Sequence, residues 1–186
     1  MSSPYERTLV KRHRFLRLLL AVAAATLTSM GAASPVFAET FSYPIENYGN
    51  GKCLQPKDGS MEPGVAIVQE PCDGSRAQDW GFVRLSGTTF RLLNHQTGRC
   101  MDARGSATNG TPVVQWDCAT ITNETWDTGR YLPDIVSLKS RVSGTNSHCL
   151  DVAEQQTADG LPMQLWSCNG TVAQTWLIGI GIIVQA

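Results

Sequence analysis

Four landmark columns recur three times along the chain, and this recurrence restricts the fold more than any other feature. The first cysteines of the three units are Cys53, Cys100 and Cys149, spaced by 47 and 49 residues. The second cysteines, Cys72, Cys118 and Cys168, are spaced by 46 and 50. A tryptophan follows each second cysteine by eight residues (Trp80, Trp126, Trp176), and a glycine precedes each by eight (Gly64, Gly110, Gly160). Registered copies of this kind are one supersecondary unit repeated around a shared core.

The repeat also sorts the cysteines. Six of them permit fifteen connectivities, but each unit closes its own loop, with separations of 19, 18 and 19 residues. The favoured pairing is therefore Cys53–Cys72, Cys100–Cys118 and Cys149–Cys168. Loops this size stabilise by roughly 3 kcal/mol each through the unfolded chain.

Local patterning reads as strands and turns. Val65-Ala66-Ile67-Val68, Val113-Val114-Gln115-Trp116 and Met163-Gln164-Leu165-Trp166 are short apolar runs. They are bounded by Asp58-Gly59, Asn109-Gly110, Asp159-Gly160 and Cys168-Asn169-Gly170. No helical period is sustained after residue 38, so units of some four short strands each imply a closed all-β fold. The apolar run Leu177–Val184 suits a closing strand; a membrane span needs roughly 20 such residues.

Residues 1–38 are expected to be a secretory signal peptide. Arg7, Lys11, Arg12, Arg14 and Arg17 precede an apolar run from Leu18 to Leu27, and Val36-Phe37-Ala38 resembles a cleavage site. An uncleaved N-terminal anchor is the alternative. The mature domain then covers 39–186, with repeats roughly at 41–86, 87–135 and 136–186. It carries 10 basic and 15 acidic residues, with no basic cluster, which argues against nucleic acid and anionic membranes as partners. Six cysteines in an exported chain fit disulfides formed outside the cell, so a secreted protein is expected.

Gln78-Asp79-Trp80 and Gln174-Thr175-Trp176, with Asn123-Glu124-Thr125-Trp126 carrying Glu for Gln, resemble the Q-x-W signature of ricin B-type lectins and related carbohydrate-binding modules. The resemblance covers about residues 41–180. It implies a β-trefoil of twelve strands, a six-stranded barrel capped by three hairpins.

The tryptophans divide into two kinds. Trp80, Trp126 and Trp176 are expected to converge in the core, with Gln78 and Gln174 bonded to backbone. Trp116 and Trp166 each lie two residues before a second cysteine, where the first repeat has Glu70. A core position would not accept Trp, Trp and an unpaired carboxylate in symmetric copies, so these two are expected at the surface. An exposed indole stacks on the C–H face of a pyranose, whose hydroxyls need a nearby carboxylate and amide.

The residue two after each first cysteine is Gln55, Asp102 or Asp151. The resemblance implies that an Asp here accepts hydrogen bonds from two sugar hydroxyls. It also implies an Asn before the Q-x-W glutamine, a column reading Ala77, Asn123 and Ala173. The expected carbohydrate-binding residues are Asp102, Trp116 and Asn123 in the second repeat and Asp151, Gln164 and Trp166 in the third. The second site is expected to be the better, and the first repeat non-functional. Galactose-type or xylan- and arabinan-type saccharides are the expected partners. Asn123-Glu124-Thr125 and Asn169-Gly170-Thr171 are also glycosylation sequons.

No cofactor, metal or catalytic set is expected. His95 and His148 are the only histidines after the leader, and neither a G-x-S-x-G nor an H-E-x-x-H motif occurs. The rival function is a β-trefoil protease inhibitor or protein-interaction scaffold. Its candidate loops would be Arg99–Thr111 and the linker Arg130–Arg141. Paired Asp and Trp in two repeats favour sugar.

Overall fold

The computed structural model describes residues 41–179 apart from 143 and 145. The expected leader at 1–38, and the end of the run reaching Val184, lie outside them. Thirteen strands occur among the described residues. Six staves form a closed ring: a split first stave, β1 (Phe41–Tyr43) and β2 (Ile45–Asn47), then β5 (Trp80–Ser86), β6 (Thr89–Asn94), β9 (Trp126–Leu132), β10 (Ile135–Ser140) and β13 (Trp176–Ile178). Neighbouring staves pair antiparallel, β1 with β5 and β2 with β13, which closes the barrel.

Three hairpins cap one end: β3 (Lys52–Pro56) with β4 (Ile67–Pro71), β7 (Cys100–Ala103) with β8 (Thr111–Trp116), and β11 (His148–Val152) with β12 (Leu161–Ser167). Their second strands meet one another, β12 against both β8 and β4, while Ala66 bridges Val114. This is the β-trefoil expected. The count is thirteen and not twelve because Pro44 interrupts the first stave. It has no N–H to give to a ladder, and the chain changes partner there.

The three disulfides pair as the repeat favours, Cys53–Cys72, Cys100–Cys118 and Cys149–Cys168. Each ties the first strand of its hairpin to the segment leaving the second. The glycine column has a backbone reason. Gly64, Gly110 and Gly160 have φ of 78°, 84° and 72°, a left-handed conformation that costs other residues energy. Each donates its N–H into a neighbouring hairpin, to the carbonyls of Gln115, Leu165 and Gln69 respectively.

Trp80, Trp126 and Trp176 are fully buried at the centre. Each indole N–H donates to the carbonyl of the residue after a first cysteine: Leu54 at 2.8 Å, Met101 at 3.0 Å and Leu150 at 3.2 Å. Large apolar surface is thus buried without stranding its one polar atom. Leu54, Met101 and Leu150 also fill the core, together with Phe82 packed edge-on against Phe90.

One expectation is corrected. Arg130–Arg141 is not a linker: it spans the end of β9 and all of β10, which pair as a hairpin turning at Pro133-Asp134. Within Arg99–Thr111, Cys100–Ala103 is strand β7, so the free loop begins only at Arg104.

Candidate functional site

The hairpins of the second and third repeats share one register. Cys100 faces Trp116 and Asp102 faces Val114 across β7 and β8. Cys149 faces Trp166 and Asp151 faces Gln164 across β11 and β12. Residues two apart on a strand share a face, so each disulfide, aspartate and indole stand on the same side of their hairpin. Gln115 points the other way, donating to the carbonyls of Ser60 and Glu62.

Trp116 and Trp166 are 39% and 40% exposed, against 0% for the three core indoles. In the third repeat Asp151, Gln164 and Trp166 line one hollow of about 280 Å³, whose rim adds Glu154, Gln155, Asn169 and Thr171. In the second, Asp102, Trp116 and Asn123 line a hollow of about 180 Å³ with Arg104 and Ile121. All six residues expected from sequence are therefore brought together, three to a hollow.

The third-repeat carboxylate is held at both oxygens. Gln164 Nε2 donates to Asp151 Oδ1 at 2.9 Å, and Gln174 Nε2 to Oδ2 at 3.0 Å. Gln174 is itself fixed, donating to the Ser167 carbonyl and accepting from Asn169 N–H at 2.8 Å. Backbone bonding by this glutamine was expected; its grip on the aspartate was not. Burial raises the Asp151 pKa above the usual aspartate value, while the Gln164 and Gln174 amides oppose the rise.

Burial raises the Asp102 pKa too, opposed by the positive charge of Arg104 and by the Asn123 side chain. The Arg104 guanidinium lies 5.1 Å from the centre of the Trp116 ring, a cation–π contact. Indole and guanidinium line the same hollow, so part of the ring is already covered. In the first repeat Gln78 Nε2 donates to Gln55 Oε1 at 2.9 Å and to the Pro71 carbonyl. The amide–amide bond there leaves no carboxylate at the position of Asp102 and Asp151.

Sequence reasoning missed Arg104 and Asn169, which lie just past strand ends, and Gln155, which closes a short 3₁₀ helix, places where no period points to a face. One signal was present: Asn123 and Asn169 both open sequons, and both line hollows.

A barrel of six staves capped by three disulfide-tied hairpins, with an indole hub, defines a β-trefoil binding module. The family model of the ricin-type beta-trefoil lectin domain matches residues 41–176, and the chain belongs to that family. It is a carbohydrate-binding lectin domain. A designed threefold-symmetric protein, ThreeFoil, is similar in structure, with a TM-score of 0.70 at 25% identity over 76% of this chain and 99% of that one. An exo-β-1,3-galactanase from Clostridium thermocellum gives 0.70 at 28% identity, over 75% of this chain but only 30% of the enzyme. The ricin B-like lectin of Macrolepiota procera, solved with lactose, gives 0.63 at 22% identity over 76% and 96%. No curated protein matches the sequence. Among the described residues no helix is long and apolar enough to cross a membrane.

Proposed function

We propose that this chain is a secreted, non-catalytic lectin with two saccharide sites, in the second and third repeats. The observation that carries the reading is the pairing, in each of two hollows, of a half-exposed indole with a buried aspartate. A sugar ring stacks on the indole and two neighbouring hydroxyls donate to the carboxylate, which is the division of labour such pockets use.

In this reading the third-repeat site is the stronger, the reverse of the order drawn from residue matches. Asp151 is oriented by two amides, whereas the second site must first move Arg104 off Trp116. Beside the third-repeat hollow lies a second one of about 120 Å³ lined by Asn47, Asn50 and Thr157, and the two share Val152, Gln155 and Ala173. A run of sugar units fits better than a single one. The likeness to a galactanase module supports galactose-bearing polymers as ligands; xylan and arabinan stay in the proposal as the other backbones to test.

The test is retention on galactan, xylan and arabinan columns. Asp102→Ala with Asp151→Ala should abolish it, and Asp151→Ala alone should remove more than Asp102→Ala. Undiminished retention of the double variant would refute the sites.

A further inference from the structure

We propose that Glu124 is kept as a neutral carboxylic acid whose proton positions Asp102, so that the second-repeat site works only within a bounded pH range. The inference rests on the reading of Asp102 as a sugar ligand and adds a positioning residue to it.

The other two repeats supply the comparison. Gln78, Glu124 and Gln174 occupy one column, two residues before each core tryptophan. All three side chains are buried, at 1%, 0% and 0% exposure. All three accept from a backbone N–H with one oxygen: Asp73 to Gln78, Ala119 to Glu124 and Asn169 to Gln174. In the outer repeats the remaining atom is an NH₂. It donates to the side chain two after the first cysteine (Gln55 or Asp151) and to the carbonyl of the residue before the second cysteine.

Glu124 has an oxygen where the others have that NH₂. Its Oε1 is buried without a hydrogen-bond partner. It shares the column whose symmetric partner donates to Asp151, and its charge and that of Asp102 oppose each other. Glu124 thus presents an acceptor where the outer repeats present a donor, and the Asn123 side chain is the hydrogen-bond donor that Asp102 already has. An ionised pair would leave a desolvated carboxylate oxygen facing a second carboxylate, which is costly. One proton resolves this: Oε1–H donates to Asp102, reproducing the amide of Gln174 with a hydroxyl.

The charged surroundings of Glu124 come from three segments. Arg91 on β6 brings Nε to 3.6 Å of Oε2 and favours ionisation. Asp102 on β7 and Asp117 just past β8 oppose it, and Asp117 is already engaged by Arg99 Nε at 3.0 Å. Burial is the largest influence, and the Glu124 pKa is raised. The two carboxyls therefore titrate as a pair in two macroscopic steps. Below the lower step Asp102 is neutral and loses its pull on sugar hydroxyls. Above the upper step Glu124 is charged and its proton is gone, so Asp102 keeps only Asn123 and Arg104 against the repulsion of a second carboxylate.

Two measurements on the disulfide-bonded chain test this. Carbon-13 NMR titration of glutamate carboxyls, with Glu124→Gln identifying the resonance, should show Glu124 titrating above every other glutamate. Titration in the ordinary range, near ~4.3, would overturn the proposal whatever the chain binds. Separately, in an Asp151→Ala background, retention on a galactan column should fall on both the acid and the alkaline side. Adding Glu124→Gln should restore a permanent donor and remove only the alkaline fall. An alkaline fall that survives Glu124→Gln, or no alkaline fall while Glu124 is still in place, sinks the idea. Retention that ignores Asp102→Ala in that background refutes instead the site on which the idea rests, and leaves the NMR result to judge the proton.

Discussion

The N–H of Gly64 donates to the carbonyl of Gln115 at 2.7 Å, so the first repeat braces the strand that presents the second repeat's exposed indole. A Cβ on Gly64 would stand 3.0 Å from Trp116 Cζ3, whereas one on Gly110 would meet nothing within 4 Å. Gly64→Ala should therefore cost about 1–2 kcal/mol from the left-handed backbone and also shift the Trp116 ring. Gly110→Ala should show the stability loss alone. Urea denaturation reads the first effect, and tryptophan emission the second. Equal emission changes in both variants would contradict this.

Removing the guanidinium from Trp116 should help the second site. A surface cation–π contact is worth about 0.5–1 kcal/mol, which a stacking sugar must displace. Arg104→Ala is expected to tighten galactan binding about two- to fivefold in an Asp151→Ala background. Weaker binding would mean that Arg104 assists the ligand and does not compete with it.

The two classes of tryptophan should separate by what their loss damages. Trp126→Ala empties a core position and strands the Met101 carbonyl, so about 3–5 kcal/mol of stability should disappear. Trp166→Ala, with its ring 40% exposed, should stay within about 0.5 kcal/mol of the parent while losing third-repeat binding. Calorimetry and column retention on the same preparations decide the matter.

Acid should act on Asp151 in two opposite directions. Its raised pKa means that the folded state takes up this proton at a higher pH than the unfolded chain does. The aspartate's contribution to stability therefore improves as pH falls through the folded value. Sugar binding needs the charged form and declines over the same range. Measured against Asp151→Asn, which carries no such proton, the parent should gain stability as pH falls through the folded value of Asp151. Retention by the third-repeat site in an Asp102→Ala background should fade at a pH above that of an ordinary aspartate, near ~3.9.

Much of this architecture is legible in the chain because it rests on periodic obligations. A cysteine pair, a left-handed glycine and a core indole in each copy are demands of the backbone and the core. They recur wherever the unit recurs. The pairing of Asp with Trp in two copies was equally visible, since Gln55 and Glu70 break both columns together. What was hidden lies in contacts between segments. Arg104 reaches over Trp116 from just past the end of β7, and no spacing announces that. The unpartnered oxygen of Glu124 is legible only beside Gln78 and Gln174 in three dimensions. Arg130–Arg141 was misread because Pro133-Asp134 marks a hairpin turn between staves, not a stretch joining them. Pro44 was a plain signal of a split first stave that the strand count overlooked.

The indole hub separates obligation from freedom. Trp80, Trp126 and Trp176 hang from backbone carbonyls at the molecular centre, so the inward half of each copy answers to its two siblings. The side chains that face outward, Gln55 in one copy and Asp151 in another, bond only within their own repeat. A copy can thus fall silent, or change its taste in sugars, while the scaffold stands. On the proposed reading the first repeat is a blank face on a finished body, open to being rewritten by a handful of rim substitutions with no alteration to the interior.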